Sequence, residues 1–171
     1  MENSTPWFFW LFPLTFAVHN IEEALFLPAW SKSAGRFHKP VGVFEFVFTL
    51  VVLTTASVII TVLAGSAGKQ TLPSYLYFAF NFGMLVNVLY PHLTATIVLK
   101  KYCPGLSTGM LFLVPTTGYL LFYRFDHHYV LFPMFWFITV PFAALVVGSI
   151  PVLFKIGRSL HGALKTSTIG Q

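Results

Sequence analysis

Residues Thr15 to Trp30 read TFAVHNIEEALFLPAW, an apolar segment with a histidine and two adjacent carboxylates near its centre. The apolar residues on both sides are typical of a helix that crosses a membrane. Each ionised group at the middle of a bilayer costs roughly 2.5 to 3.5 kcal/mol on insertion scales. His19, Glu22 and Glu23 therefore need partners inside the protein, and the stretch predicts a membrane helix that carries a functional site.

The composition of the whole chain is that of an integral membrane protein. Of its 171 residues, 56% are hydrophobic and only 9% are charged, whereas about 25% charged residues are usual in a soluble domain. Apolar runs of about 20 residues predict spanning helices rather than barrel strands. The single cysteine, Cys103, excludes an internal disulfide and a site with several thiolates. The net charge is +5, and the basic residues lie in short loops and a tail beside apolar spans. There they set the orientation of the chain and contact anionic headgroups, so we do not expect nucleic-acid binding.

We expect one transmembrane domain over residues 1–171, an all-α bundle of five spanning helices. The acidic N-terminus lacks the features of a signal peptide, so the first span is expected to be retained. Prolines inside the spans predict kinks rather than breaks. The spans are predicted at residues 7–27, 41–64, 72–99, 107–123 and 130–154, followed by a basic cytoplasmic tail at 155–171.

Loop charges test the number of spans, because positive residues gather on the cytoplasmic side of a membrane protein. With five spans the charges separate clearly, which predicts an N-terminus outside the cell and a C-terminus in the cytoplasm. The cytoplasmic side then holds Lys32, Arg36, Lys39, Lys100, Lys101, Lys155, Arg158 and Lys165, and the other side holds Lys69 and Arg124.

Polar residues of three spans have similar predicted depths. With a rise of about 1.5 Å per residue, Glu23 and Glu45 lie about 7 Å from the cytoplasmic edge, and His92 lies about 12 Å from it. On the first helix, a histidine and two glutamates share one broad face within a single turn. Residues that snorkel to the surface, or that only fix helix packing, are the alternative to a site. The predicted catalytic residues are His19, Glu22, Glu23, Glu45, Asn87 and His92.

At these residues the sequence resembles the HXXEE-domain family of small bacterial membrane proteins, whose function is largely uncharacterised. Three motifs carry the resemblance: HNIEE at residues 19–23, NVLYPH at 87–92 and YCPG at 102–105. The family's middle motif has the spacing N-x-x-x-H, whereas four residues intervene here. This spacing turns His92 about 140° away from Asn87 unless Pro91 distorts the helix. The resemblance implies a location in the bacterial inner (plasma) membrane, and it supplies no reaction.

Two kinds of site fit these residues. In the first, a divalent metal such as zinc or iron is bound, with an open position for water or substrate. Its ligands would come from His19, Glu22, Glu23 and His92. In the second, the glutamates and the first histidine act as general acid and base without a metal. The rings expected to line the pocket, and to stabilise a carbocation by cation-π contact, are those of Trp7, Trp10, Phe80, Tyr90 and Trp136.

The leading functional hypothesis is a membrane enzyme that acts on a lipid-soluble, isoprenoid- or lipid-like substrate. Its reaction would be isomerisation or cyclisation through a carboxylic acid, or metal-assisted hydrolysis. The alternatives are a small transporter or cation carrier that uses the same residues, and a lipid-binding accessory protein. Membrane lipid and a hydrophobic small molecule are the expected partners, and a homodimer is also compatible with the sequence. RFDHHY at 124–129 predicts a wetted loop on the opposite face, and YCPG predicts a tight turn.

Overall fold

The computed structural model describes residues 6–35 and 37–169, and all regular secondary structure within these ranges is helical. The prediction of an all-α fold is therefore confirmed. Arg36, which the charge argument used, lies outside the described residues. A 3-10 turn at Trp7–Trp10 leads into α1 (Leu11–Ser31), α2 (Val43–Ala67), α3 (Leu72–Leu99), α4 (residues 106–126) and α5 (Phe132–Ile169).

Four helices in the described part of the chain are long and apolar enough to cross a membrane. They are α2, α3, α4 over Leu106–Arg124 and α5 over Phe132–Ser167. The helix α1 is not in this group, because the polar residues of its HNIEE motif interrupt its apolar sequence. The helices therefore have the character of a membrane protein, and the count of five spans stays a prediction.

The helices run between two ends of one bundle. One end, called the site end below, contains residues 31–35, 37–42 and 99–106 and the C-terminal part of α5. There Lys101 donates a hydrogen bond of 2.8 Å to the hydroxyl of Ser33. The other end, called the far end, contains residues 67–72 and 126–132, and the ring of Phe9 contacts that of Tyr129 there. The first helical segment thus extends over the full length of the bundle.

Aromatic side chains fill the core toward the far end. Phe9, Phe12 and Phe16 pack with their rings against Tyr77 and Phe80 of α3. The hydroxyl of Tyr77 also donates a hydrogen bond of 2.8 Å to the carbonyl of Phe9. These contacts fix the height of α1 relative to α3, and so they set which polar residues of the two helices face each other.

Prolines lie inside the helices without ending them. The helix α3 continues through Pro91, α4 through Pro115 and α5 through Pro141, so the prediction that prolines do not break the spans is confirmed. In α3 and α4 the regular helix is interrupted by a π-helical turn, at Val88–Leu93 and Gly109–Leu113 respectively. The first of these turns positions a residue of the site.

The helix α5 is longer than the predicted span. It has 38 residues and is therefore about 57 Å long, against roughly 30 Å for the hydrocarbon layer of a bilayer. The predicted basic tail is consequently helical as far as residue 169. Residues Gly162 to Ser167, near its C-terminal end, are exposed.

Candidate functional site

Three side chains from α1 and α3 converge inside the bundle near the site end. The carboxylate oxygen Oε1 of Glu23 lies 2.9 Å from Nε2 of His92 and 3.6 Å from Nε2 of His19. All three residues are buried, and one ligand atom from each lies within 4.8 Å of the other two. We call these three residues the His-Glu-His cluster. The fold thus joins the HNIEE and NVLYPH motifs in one group.

The position of His19 follows from the α1 helix. His19 and Glu23 are four residues apart, so their side chains lie on one face of the helix, one turn apart. The imidazole is fully buried, and neither ring nitrogen makes a hydrogen bond of ordinary geometry. Buried polar groups normally have a partner. The ring nitrogens of His19 are therefore available to a ligand of the cluster.

The π-helical turn of α3 brings His92 into the cluster. Asn87 and His92 are five residues apart, and a regular α-helix would point them in different directions. In a π-helix the repeat is longer, with hydrogen bonds from i to i+5, and the amide nitrogen of Asn87 lies 3.4 Å from Nε2 of His92. Pro91, which has no N–H for a helical hydrogen bond, lies within this turn. The distortion that the unusual spacing required is present.

Glu22 is held outside the cluster by the loop between α3 and α4. Its carboxylate accepts hydrogen bonds from the backbone N–H of Gly105 (2.8 Å) and from the backbone N–H and hydroxyl of Thr108 (2.9 and 2.6 Å). The hydroxyl of Tyr102 also donates to it. These amides begin α4, where N–H groups lack partners within the helix and negative charge is favourable. The Glu22 carboxylate therefore caps α4 from α1.

Tyr102 contributes to this cap as a protonated phenol. Partial burial, together with the hydrogen bond to the Glu22 carboxylate, raises the pKa of Tyr102 above its ordinary value. The hydroxyl accordingly keeps its proton at neutral pH and donates a hydrogen bond to the carboxylate. Tyr102 also accepts a hydrogen bond of 3.1 Å from the backbone N–H of Ser107, so the YCPG segment and the first turn of α4 form one unit.

The YCPG segment is a turn, as predicted, and it also covers the cluster. Gly105 has φ +93°, a left-handed conformation that glycine adopts readily. A Cβ atom at this position would lie 2.9 Å from Cε1 of both His19 and His92, and 3.0 Å from Cγ of Glu23. Only a residue without a side chain fits here while the cluster keeps its geometry.

Sequence reasoning missed the contributions of Cys103, Gly105 and Thr108 to the site. The buried sulfur of Cys103 lies 3.5 Å from Nδ1 of His92, the ring nitrogen that does not face Glu23. A group at this nitrogen helps to fix the orientation of the ring. A proline and a glycine followed by Ser and Thr do indicate the start of a helix, but that pattern does not reveal which carboxylate caps it.

Glu45 lies at the start of α2, apart from the cluster. Its carboxylate accepts a hydrogen bond of 2.9 Å from the backbone N–H of Gly42 and lies 3.5 Å from a guanidinium nitrogen of Arg158. The helices α2 and α5 are very close here, since a Cβ atom on Gly157 would lie 2.8 Å from Cα of Glu45. The structure thus places Glu45 in a helix cap that joins α2 to α5, rather than with His19 and Glu23.

A cavity of about 610 Å³ adjoins the cluster between α1, α2, α3 and α5. Glu23 and His92 form part of its wall, and the amides of Asn20 and Asn87 add further polar groups. Asn20 also donates a hydrogen bond of 2.7 Å to the hydroxyl of Thr54, which ties α1 to α2. Most of the remaining wall is apolar.

The aromatic lining of this cavity differs from the predicted one. The rings that line it are those of Phe16, Phe37, Phe46 and Phe154. The prediction named other rings, and for this cavity it is wrong, because those rings either lie in the aromatic core or are exposed on the outside of the bundle. The rings absent from the wall are Trp7, Trp10, Phe80, Tyr90 and Trp136.

The donor atoms of the cluster fit a divalent metal ion. Two imidazole nitrogens and one carboxylate oxygen are the ligands of many catalytic zinc sites and of non-haem iron sites. Ligand atoms about 2.1 Å from a tetrahedral zinc lie about 3.4 Å from each other. The separations of Glu23 from His92 and His19, 2.9 and 3.6 Å, lie on either side of this value. Glu22, which the sequence suggested as a ligand, is occupied at the α4 cap.

The RFDHHY segment lies at the far end, away from the cluster. Asp126 and His127 are exposed, and Nδ1 of His127 lies 3.4 Å from Oδ2 of Asp126. The ring of His127 stacks on that of Tyr123. Its location away from the main site, which the sequence predicted, is confirmed.

Comparisons with known proteins agree with the motifs that form the site. Residues 10–120 match the family described as "Protein of unknown function with HXXEE motif". The chain is 33% identical over 149 residues to an uncharacterized protein, YrkK, of Bacillus subtilis (strain 168), a match that covers 87% of this chain and 93% of the relative. No solved structure matches. The matched region contains the cluster, the α4 cap and the turn that joins them, and the chain belongs to the family of proteins of unknown function with the HXXEE motif.

Proposed function

We propose that this protein is a membrane enzyme that acts on a lipid-soluble substrate, with the His-Glu-His cluster as its reactive group. The observation that carries the proposal is that Glu23 and His92 form part of the wall of a largely apolar cavity within the bundle. A volume of about 610 Å³ is typical of cavities that bind small molecules. A carboxylate and two imidazoles buried together in a membrane protein indicate function, because packing alone does not need such costly groups.

The chemistry of the cluster is proposed to be metal-assisted, because His19 is buried and neither of its ring nitrogens makes a hydrogen bond of ordinary geometry. A divalent zinc or iron ion held by His19, Glu23 and His92 would supply Lewis acidity and an activated water. Cys103 orients His92 at Nδ1, Asn87 lies beside its Nε2, and Gly105 closes the cluster. Without a metal, the same arrangement supports proton transfer by Glu23, whose Oε1 lies near two imidazoles.

We further propose that α1 also crosses the membrane, and that the site end faces the cytoplasm of a bacterial cell. The length of α1, from the rings of the far end to the loop at Ser33, supports the fifth span. The charge distribution supports the orientation, since Lys69 and Arg124 are the positive residues of the described chain that lie toward the far end. A substrate would then enter from the cytoplasmic leaflet.

Turnover in a Glu23→Gln variant tests the catalytic role of the cluster. Wild-type protein in lipid nanodiscs is incubated with a bacterial lipid extract, and the lipids converted are identified by mass spectrometry. We expect the variant to fold normally and to lose at least about 100-fold in rate, the size of a general acid-base or comparable contribution. Asp126→Asn, which removes an exposed carboxylate at the far end, is the matched control and should retain the wild-type rate. Full turnover in folded Glu23→Gln would contradict the proposal.

Elemental analysis tests whether the His-Glu-His cluster binds a metal ion. Purified wild-type protein should contain about one zinc or iron ion per chain, since the cluster provides one set of three ligands. His19→Ala and His92→Ala should lose this metal, and His127→Ala, which changes an exposed histidine at the far end, should keep it. Wild-type turnover in protein free of metal would assign the reaction to proton transfer by Glu23. Cation flux into proteoliposomes that His19→Ala abolishes, without lipid conversion, would indicate a transporter instead.

A further inference from the structure

We infer that the ligand of the cavity is an amphiphile with an anionic headgroup, and that Lys39, Lys155 and Arg158 bind this headgroup. The class of ligand is argued from the cavity alone, and its role as the substrate rests on the function proposed above.

The wall of the cavity changes from charged to apolar along the bundle axis. At the site end it includes Lys39, from the segment before α2, and Lys155 and Arg158 of α5. On α5 the wall extends from Arg158 to Val147, eleven residues or about 16 Å along the helix. The inner part is formed by apolar side chains such as that of Met84. Such a wall suits a ligand that is charged at one end and apolar along the rest.

The positive charges at the cavity mouth are only partly neutralised. Glu45 pairs with Arg158 at 3.5 Å. The ammonium groups of Lys39 and Lys155 have no carboxylate partner among the residues that the structure describes. Positive residues are common at the cytoplasmic edge of membrane proteins, but these two line the same cavity as Glu23. They are free to bind a phosphate or carboxylate group of the ligand.

The cluster lies between the charged mouth and the apolar interior. Along α1, Glu23 is four residues from Leu27 and seven residues from Phe16, and all three line the cavity. These separations correspond to about 6 Å toward the mouth and about 10 Å toward the interior. A ligand bound by its headgroup at the mouth therefore passes the cluster with the first part of its chain. The bond that reacts is one close to the headgroup, and the remaining chain provides apolar binding.

Binding of defined amphiphiles tests this inference. Wild-type protein in phosphatidylcholine nanodiscs is titrated with dodecyl phosphate, dodecanoate and dodecanol, and separately with inorganic phosphate. We expect both anionic amphiphiles to bind at least about tenfold more tightly than dodecanol, because one charge-assisted hydrogen bond accounts for a difference of that size. Inorganic phosphate, which lacks the chain, should bind more weakly than dodecyl phosphate. Equal affinity for dodecanol and dodecyl phosphate, or tight binding of inorganic phosphate, would overturn the inference.

Charge reversal locates the headgroup. The double variant Lys39→Glu/Lys155→Glu should bind dodecyl phosphate at least about tenfold more weakly and bind dodecanol unchanged. Both lysines are exposed, so the variant should unfold at the wild-type temperature. Lys165→Glu makes the same change on the exposed end of α5, outside the cavity, and should have no effect. An equal loss in Lys165→Glu would show that the overall charge acts, and it would overturn the assignment.

The two proposals fail in different ways. If dodecyl phosphate binding does not depend on Lys39 and Lys155 while turnover still depends on Glu23, the ligand class is wrong and the enzyme function stands. If binding depends on these lysines but Glu23→Gln keeps full turnover, the cavity binds an anionic amphiphile as inferred, and the catalytic role of the cluster is wrong.

Discussion

Glu22 and Glu23 are neighbours in the sequence and have different partners in the fold. Glu23 faces two histidines, and Glu22 accepts four hydrogen bonds from the loop and first turn of α4. Both are three or four residues from His19, so the sequence places both on its face of the helix. The position of α4 decides which of the two carboxylates caps α4 and which one faces the histidines. No sequence pattern supplies this information, because α4 is about 85 residues further along the chain.

The variant Glu22→Gln tests this division of roles. A carboxamide has one acceptor oxygen, and its NH2 group would face N–H and O–H donors of the cap. We expect a loss of about 2 kcal/mol in the free energy of unfolding, seen as a fall of about 5 °C in the unfolding midpoint. Glu23→Gln should lower the midpoint less while it abolishes turnover. Unchanged stability together with lost turnover in Glu22→Gln would return Glu22 to the reactive group.

The absence of a side chain at Gly105 leaves room for the rings of His19 and His92. Gly105→Ala should displace the rings of His19 and His92, because the added methyl would lie 2.9 Å from both. We expect loss of metal and of turnover in addition to the strain of about 1 to 2 kcal/mol for a side chain at positive φ. Gly68→Ala separates the two effects, since Gly68 has φ +80° with nothing within 4 Å. The control should lose stability and keep its metal, and an equal loss of metal in both would contradict the packing argument.

The π-helical turn accommodates one extra residue in α3, and the regular α-helix continues on both sides of it. The regular helix of Leu72–Asn87 resumes at Thr94–Leu99 after the turn. The spacing of Asn87 and His92 indicated a distortion in advance, because no regular α-helix brings residues five apart onto one face. The distortion can be a kink or a π-helical turn, and the packing of α3 against its neighbours decides which of them forms. The spacing of the two residues gives no information about this packing.

Changes in the length of this turn should therefore have unequal effects. Deletion of Leu89, an exposed residue of the turn, leaves a four-residue separation that an ordinary α-helix accommodates with both side chains on one face. We expect the deletion variant to retain metal and turnover. Insertion of one alanine after Leu89 adds a further 100° of rotation and should remove His92 from the cluster, with loss of metal. Equal tolerance of both changes, measured by metal content and turnover, would show that the turn does not set the position of His92.

For the other helices, the length of the apolar runs predicted the helix bounds well, but the polar residues did not reveal where a helix ends or which way a side chain points. The predicted spans at 41–64 and 72–99 compare with Val43–Ala67 and Leu72–Leu99 in the structure. The predicted tail is a helical continuation of α5, because basic residues do not end a helix by themselves. Glu45 lies in the first turn of α2, and its carboxylate faces Gly42 and Arg158 rather than the cluster. The direction of this side chain depends on how α2 and α5 pack, which the sequence pattern does not reveal.

The orientation of the bundle in the membrane can be measured directly with two single-cysteine variants. In a Cys103→Ala background, His128→Cys at the far end and Thr166→Cys at the end of α5 each introduce one exposed thiol. We expect a thiol reagent that does not cross membranes to label the first in intact cells and the second only after the cells are opened. This expectation follows from the charge distribution, from which we proposed that the site end faces the cytoplasm. The reverse labelling pattern, or labelling of both thiols from outside, would contradict the proposed topology.

The turn between α3 and α4 has a consequence for the route by which a ligand would reach the cluster. It closes the cluster on the flank of α4, where Gly105 contacts the histidines and Glu22 fastens the turn to α1. The cavity meets the cluster from the other flank, between α1, α2, α3 and α5. A ligand of the proposed site would therefore enter and leave through the cavity without displacing the turn. The two imidazoles would then keep the same geometry from one bound ligand to the next.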